Sequence, residues 1–500
     1  MKSVKPIALK QYFIGLSKDS LVYGFGNAIL KILALVTAPI FTRVFAPAEY
    51  GIVNLITSIT YFLSLLLIFG MDAATSVSYY QYGKEKKVIT STAFWFLVGW
   101  GTVLVAVMSL FIKQFSFLAF QTTSYRILFL IAFVTAFFSL LISFAKLLLR
   151  LEFKAKTFAF ISVFQAIVST GLMVIFVVIY HKGLVGYLGG TLVGTFLSFI
   201  LAFYYIFKRK FIAFRFNRQH LMEMLAYGSL MVPTALSFYV FDLSDRFFIN
   251  RYWNLTELGL YSIAINIAGL LTFFSFALGQ AWTPYVLKLY YELKNVFKQF
   301  VPKIFLYYLV LFFSLAVFVT VFGQEILRIF TTESYFDSFR AIGPMTLAFT
   351  FSASLQITVL GITIARKTKY MALYAAVTAA INIVLNFLLI PRYGMVGAAW
   401  ATAISYFVLT NSYLYTSQKL VYIKLPWQKI FKLLLLSVAA IVSFPLSWRY
   451  GFNANLVIKI GELIGFFVLL YFLGVLDKYE YEAVKEIFLK IKKFNRGKTE

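Results

Sequence analysis

Cysteine is absent from the 500 residues, and histidine occurs only at positions 181 and 220. Disulfides, thiol nucleophiles and thiolate metal centres are thereby excluded. His181 and His220 both fall at segment ends, so a histidine metal site or a Ser-His-Asp triad is poorly supported. Charge is also scarce. Only 13% of the residues are charged, against roughly 25% in a soluble domain, and the acidic residues number 19 beside 46 basic ones. What the chain does have is apolar sequence, 61% of the total, in long runs that recur from residue 20 to residue 475 with short polar breaks. Counting soluble domains by length does not apply to such a chain.

A window of about 20 apolar residues crosses a bilayer as a helix. Fourteen such windows can be read: 20–44, 51–75, 89–112, 125–148, 158–180, 184–207, 226–250, 258–281, 302–323, 341–364, 371–390, 395–417, 430–448 and 456–476. The first is too long for a signal-peptide core and carries Lys31. With the N-terminus placed inside, 34 basic residues fall in inner segments, ten in outer ones and two, Lys31 and Arg246, within spans. That bias is the positive-inside pattern, and it accounts for the net charge of +27 without nucleic acid. It predicts both termini in the cytoplasm. The tail 477–500 places Val484, Ile487, Phe488 and Ile491 on one face among lysines, the pattern of a basic amphipathic helix on anionic lipid.

The chain repeats itself. Residues 43–51 (RVFAPAEYG) and 251–259 (RYWNLTELG) share R-x5-E-x-G at an offset of 208, and residues 183–191 and 394–402 share G-x-V-G-x4-T at an offset of 211. Six spans per repeat is an even number, so the halves insert in the same orientation, related by an axis along the membrane normal. The expected architecture is an all-α polytopic membrane protein. It has an N-lobe (1–207), a basic linker (208–225), a C-lobe (226–418), two extra spans (419–476) and the tail.

TAPIFTRVFAPAEYGIVNL in the first hairpin, LSDRFFIN in span 7, QAWTPYVLKLY after span 8 and INIVLNFLLIPRYGMVGAAWATAISY across spans 11–12 resemble the oligosaccharide flippase, or polysaccharide transporter, family of the MATE-like superfamily. The resemblance runs from about residue 17 to residue 420. It implies two six-helix lobes, alternating access, and outward movement of an undecaprenyl-pyrophosphate-linked oligosaccharide across a bacterial cytoplasmic membrane, alongside a polymerase and glycosyltransferases. Related lipid II flippases hold sodium through a span-7 Asp, a span-11 pair four residues apart and a span-12 Thr. That resemblance assigns sodium or proton coupling to Asp242 or Asp245, Asn382, Asn386, Thr402 and the carbonyl of Ala398. Asn386 departs from it, being neutral where the relatives carry a carboxylate. The alternative role for the asparagines is interhelical hydrogen bonding.

A charge at mid-membrane is costly and needs a cavity or a partner. Lys31 and Arg246, in the first helix of each half, are candidates for the pyrophosphate, with Arg43 and Arg251 at the outer ends of those helices and Lys146 and Arg150 near the inner end of span 4. Each has a structural alternative. Arg246 can pair with Asp242 one turn earlier, and Lys31 can snorkel or pair with another helix. Arg43 and Arg251 can hold Glu49 and Glu257 across their turns, and Lys146 and Arg150 can anchor the inner end of their helix. Pro39 and Pro233 fall within corresponding helices as candidate kinks. The competing functions are a multidrug exporter, a lipid II exporter and a membrane glycosyltransferase or polymerase. The last is disfavoured by the lack of a large extramembrane loop, and no enzyme activity or cofactor is expected.

Overall fold

The computed structural model describes residues 37–82, 85–229, 231–272, 294–365, 369–443 and 452–475, with isolated positions at 33, 274, 275, 282, 286, 290 and 367. Lys31 and the tail 477–500 lie outside the described residues. Among those described, every regular element is helical. Helix α1 (37–44) leads into α2 (Pro47–Ile68), α3 (Met71–Gln81), α4 (Lys86–Leu110), α5 (Ile112–Phe120), α6 (Arg126–Leu151), α7 (Ala155–Val174), extended by a π turn, and α8 (Gly183–Lys208). Next come α9 (Arg218–Ser229), α10 (Val232–Tyr252), α11 (Leu255–Ala268), α12 (Lys294–Val321), α13 (Gly323–Phe330), α14 (Phe339–Thr358) and α15 (Leu360–Ile364). Lys369–Leu420 turns back on itself at Gly394, giving arms α16 (369–393) and α17 (395–420), and α18 (Trp427–Ser443) and α19 (Phe452–Phe472) follow. Helix α8 has 26 residues, about 39 Å at 1.5 Å per residue, enough to cross the apolar layer.

The reversal at Gly394 follows from its backbone and from pairs across it. Gly394 has φ of 55°, Asn382 donates to Ser405 at 3.3 Å, and the Tyr374 hydroxyl lies 2.7 Å from Thr416. The N-lobe turns the same way at Gly183, φ 52°, which is 211 residues earlier, the offset of the repeat. Lipid tails give apolar helices little reason to associate, so close packing must hold them. In the α7–α8 hairpin that packing comes from Gly186, Gly190 and Gly194, one turn apart. A methyl at Gly190 would sit 2.5 Å from the Met173 Cα, and one at Gly194 2.7 Å from the Ser169 nitrogen. The corresponding residues of α17 are Gly397, Ala401 and Ser405.

The first repeated motif forms the crossing between the lobes. Gly51 on α2 lies against the backbone of Leu255 at the start of α11, and Gly259 on α11 lies against the backbone of Pro47 at the start of α2. Position 47 plus 208 is 255, and 51 plus 208 is 259, so each half presents the same patch to the other. That is the signature of a twofold axis. Around it, Thr332 and Tyr335 donate to the Thr42 and Phe45 carbonyls at 3.1 and 2.8 Å, and Asn266 reaches the Tyr50 hydroxyl at 3.2 Å. The lobes are thus sealed at the end that the charge bias marks as outer.

Two of the expected spans are broken at points that meet. Span 2 is interrupted at Phe69 and Gly70, both with positive φ. Span 7 begins afresh at Val232, with Pro233 in the first turn of α10, where its missing N–H is harmless, so it starts the helix instead of kinking it. Gly70 lies against Gly228: a Cβ there would fall 2.7 Å from the Gly228 carbonyl carbon. The linker is held against the N-lobe by three consecutive α4 side chains. Thr90 donates to the Phe211 carbonyl at 2.7 Å, Ser91 accepts from Ala213 N–H at 2.8 Å, and Thr92 accepts from Asn217 N–H at 3.0 Å. Helix α9 then docks through His220 Nε2 and Glu85, 2.6 Å apart, and through the Tyr82 hydroxyl, which donates to Glu223 at 2.6 Å. The extra helices α18 and α19 pack on the C-lobe through α12. Lys459 of α19 is buried and holds both Glu325 oxygens, at 2.7 and 2.9 Å.

Candidate functional site

Helix α10 carries polar groups on two faces because it has two different neighbours. One face looks into the C-lobe. Asp245, 2% exposed, accepts a hydrogen bond from the Tyr261 hydroxyl of α11 and one from the Arg246 N–H at 2.8 Å, and Arg246 Nη1 lies 3.3 Å from the same carboxylate. Next to it, Ser244 donates to Asn382 Oδ1 and accepts from Asn386 Nδ2, both at 3.0 Å. Asn386 also donates to Asn382 Oδ1 at 3.0 Å, and the Ser405 hydroxyl donates to the Ala401 carbonyl at 2.7 Å. Asn382, Asn386 and Ser405 are fully buried.

Two oxygens in this cluster lack a hydrogen-bond partner, Asn386 Oδ1 and Thr402 Oγ1. Thr402 faces the Tyr261 hydroxyl, the donor to Asp245. Unsatisfied buried oxygens are unusual, and beside a carboxylate they are the donor type a hard cation takes. The structure therefore brings Asp245, Asn382, Asn386 and Thr402 together, with Ala398 fully buried on the same α17 arm. The backbone of Asp242 is helical, but its side chain is outside the described residues. Tyr261, Ser244 and Ser405 are members that sequence reasoning missed. The repeat held a clue to Ser405, which stands where the N-lobe has Gly194. One tyrosine among 33 carried no such mark. The cluster belongs to one lobe only: Thr37, Ala38, Gly171 and Ile175 occupy the positions corresponding to Asp245, Arg246, Asn382 and Asn386.

The other face of α10 meets the N-lobe. The Tyr239 hydroxyl donates to the Ser58 carbonyl of α2, and Asn250 donates to the Ala119 carbonyl of α5 at 2.6 Å. Arg246 is seven residues beyond Tyr239 and four before Asn250, so all three share a face. It lies at the lobe interface, between the two cross-lobe bonds, while gripping Asp245 behind it. Among the described residues it pairs with Asp245, next in sequence; the pairing anticipated with Asp242 falls on a side chain outside the described residues.

The other candidate cations are placed differently. Arg43 and Arg251 are exposed at the outer ends of α1 and α10. The ion pairs anticipated for them do not form among the described residues. Glu49 accepts instead from Ala46 N–H at 3.0 Å, closing the start of its own helix, and Glu257 accepts from Met395 N–H at 3.0 Å, bracing the Gly394 turn. A helix start offers unpaired N–H groups to a nearby carboxylate, and those outcompete a side-chain cation. Lys146 is half-buried and donates to Gln165 at 2.9 Å, and Arg150 is exposed at the inner end of α6.

Comparison with known proteins places this architecture. A family model described as polysaccharide biosynthesis protein matches residues 40–340. An uncharacterized membrane protein of Methanocaldococcus jannaschii is 26% identical over 205 residues, 39% of each chain, and one of Haemophilus influenzae is 24% identical over 282 residues, 55% of this chain and 65% of the relative. The matched region thus spans less than two thirds of either relative. Among solved structures, the lipid II flippase MurJ in an inward closed conformation superposes with a TM-score of 0.73 at 18% identity, covering 90% of this chain and 98% of that one. An inward-facing multidrug resistance MATE family transporter of the MOP superfamily gives 0.66 at 13% identity, covering 78% and 94%. The fold is that of these transporters, and with more than half of its length matched by the family model, the chain belongs to the polysaccharide biosynthesis protein family.

Proposed function

We propose that this protein moves an undecaprenyl-pyrophosphate-linked oligosaccharide from the inner to the outer leaflet by alternating access, driven by a sodium ion or proton at Asp245. The observation that carries this reading is Arg246, set at the interface between the lobes and held from behind by a buried carboxylate. A pyrophosphate head needs cationic donors in a region of low dielectric, and a guanidinium meets phosphate oxygens in a bidentate fork. While Asp245 is charged and empty-handed, it claims the guanidinium. A cation or proton on Asp245 weakens that hold and lets the guanidinium turn toward the cargo, so the two ligands are coupled through adjacent residues. Asp245, Asn386 and Thr402 are the residues that would hold a sodium ion, which supplies positive charge and no chemistry. Lys31, Arg43, Arg251 and Arg150 complete the proposed cationic path.

The test is reconstitution in proteoliposomes with a fluorescent undecaprenyl-pyrophosphate sugar and imposed sodium, potassium or pH gradients. Arg246→Ala should abolish flipping, and Asp245→Asn should abolish its dependence on the gradient. Wild-type flipping by Arg246→Ala would defeat the proposal for the cargo. Flipping indifferent to every gradient would defeat the proposal for the coupling. Transport of lipid II or of cationic drugs in place of the sugar lipid would assign the alternative cargo.

A further inference from the structure

Three inner segments of the N-lobe, each basic in sequence, converge on one cavity of about 150 Å³. Lys86 and Lys87 enter from the start of α4, Lys210 from the linker, and Glu152 from the end of α6, with Tyr79 and Phe211 among the walls. Among the described residues no carboxylate lies within ion-pair distance of the three lysines. Lys86 rests instead over the Tyr79 ring, 4.5 Å from its centre. Three cations and one carboxylate leave the cavity two charges positive.

Lys210 is held there deliberately by the backbone. It has φ of 55°, in the left-handed region that ordinarily selects glycine after a helix. Its N–H bonds the Phe207 carbonyl at 2.9 Å and Phe211 N–H bonds the Ile206 carbonyl at 3.1 Å, the two bonds of a Schellman turn. Thr90 then pins Phe211 to α4 from the cavity wall, at 2.7 Å. A lysine in a glycine position, fixed on both sides, points to a use for its ammonium group.

We infer that this cavity binds the anionic phosphate of a lipid headgroup at the inner membrane surface. The volume admits an oxyanion with some water. The lysines supply charge-assisted donors, and basic pockets between helices on the cytoplasmic side are where anionic headgroups bind. A membrane phospholipid and a pyrophosphate-linked lipid offer the same chemistry, so the inference stands whether or not the cargo proposal does.

Native mass spectrometry of the full chain tests it, titrating phosphatidylglycerol and, separately, undecaprenyl pyrophosphate. Lys86→Gln/Lys210→Gln should weaken binding of at least one lipid about 10-fold or more, and the lipid affected identifies the source of the phosphate. Lys156→Gln/Lys298→Gln removes the same charge from exposed positions outside the cavity and should leave binding unchanged. Equal losses in the two double variants, or none in either, would overturn the site in favour of diffuse attraction to the basic face. An unchanged unfolding temperature shows that the cavity variant is folded. Should it unfold, Lys87→Gln, exposed at the cavity rim, replaces it with the same expectation.

Discussion

The crossing of α2 and α11 gives the sharpest prediction. A methyl group at Gly259 would sit 2.7 Å from the Pro47 carbonyl carbon, and one at Gly51 would sit 3.1 Å from the Leu255 carbonyl carbon. The obstacles are backbone atoms, which cannot rotate away. Relaxed carbon contacts lie at about 3.5–4.0 Å, so the helices must part by about 1 Å. Overpacking of this kind costs about 1–3 kcal/mol, which shifts an equilibrium by about 5- to 150-fold. The penalty falls on the conformation sealed at the outer end, so Gly51→Ala and Gly259→Ala should each populate an opened outer mouth. The chain lacks cysteine, so Val44→Cys with Glu333→Cys, both exposed beside the seal, takes a spin-label pair directly. A longer, broader distance distribution is expected in both glycine variants. The combined variant should add less than the sum, because the two sites share one contact. Gly99→Ala and Gly171→Ala, which have nothing within 4 Å of the added carbon, control for helix propensity and should leave the distances alone. Unchanged distances in Gly51→Ala and Gly259→Ala would refute the account of the seal.

Other outcomes follow from single contacts. Tyr261→Phe leaves Asp245 one buried donor short, a loss of about 1–3 kcal/mol; under the proposed coupling it should shift the dependence of flux on the ion or pH gradient while the protein remains folded, as a flux-versus-gradient series would read. Glu325→Ala removes the carboxylate that takes two hydrogen bonds from the buried Lys459 and should cost about 3 kcal/mol. Glu325→Leu/Lys459→Met should recover most of it, as thermal unfolding in detergent would show. The Tyr82 hydroxyl holds the Glu223 carboxyl below its ordinary range, so this contribution to linker docking is complete above that range and lost as pH falls through the lowered value. The share of hydrogen-exchange protection over 208–229 that depends on Glu223 should therefore be lost only in acid, after correction for the intrinsic pH dependence of exchange, and Tyr82→Phe should move that loss toward higher pH.

Much of this fold was legible because the bilayer imposes a length on every crossing. The long apolar runs marked the helices, and the two repeated motifs marked the outer crossing and the turns at Gly183 and Gly394. What the motifs did not reveal is which partner each polar group would choose. Glu49 and Glu257 look equivalent by position, yet one closes its own helix start and the other braces a turn 138 residues away. The breaks at Gly70 and just before Val232 were hidden because an apolar run reads the same whether one helix or two carry it. At the site, Asn382 and Asn386 could be placed on one face by spacing alone. Ser405 and Tyr261 reach them from other helices, and no spacing along a chain encodes that.

The two-way contact of Gly51 with Leu255 and Gly259 with Pro47 has the form of a homodimer interface within a single polypeptide. In an unfused six-helix protein meeting its own copy through this patch, any substitution would be felt twice, and a polar site in one copy would appear in both. Fusion removes that constraint. One half is free to keep an ionisable cluster in its interior while the other stays plain, so that matching halves need not carry matching interiors.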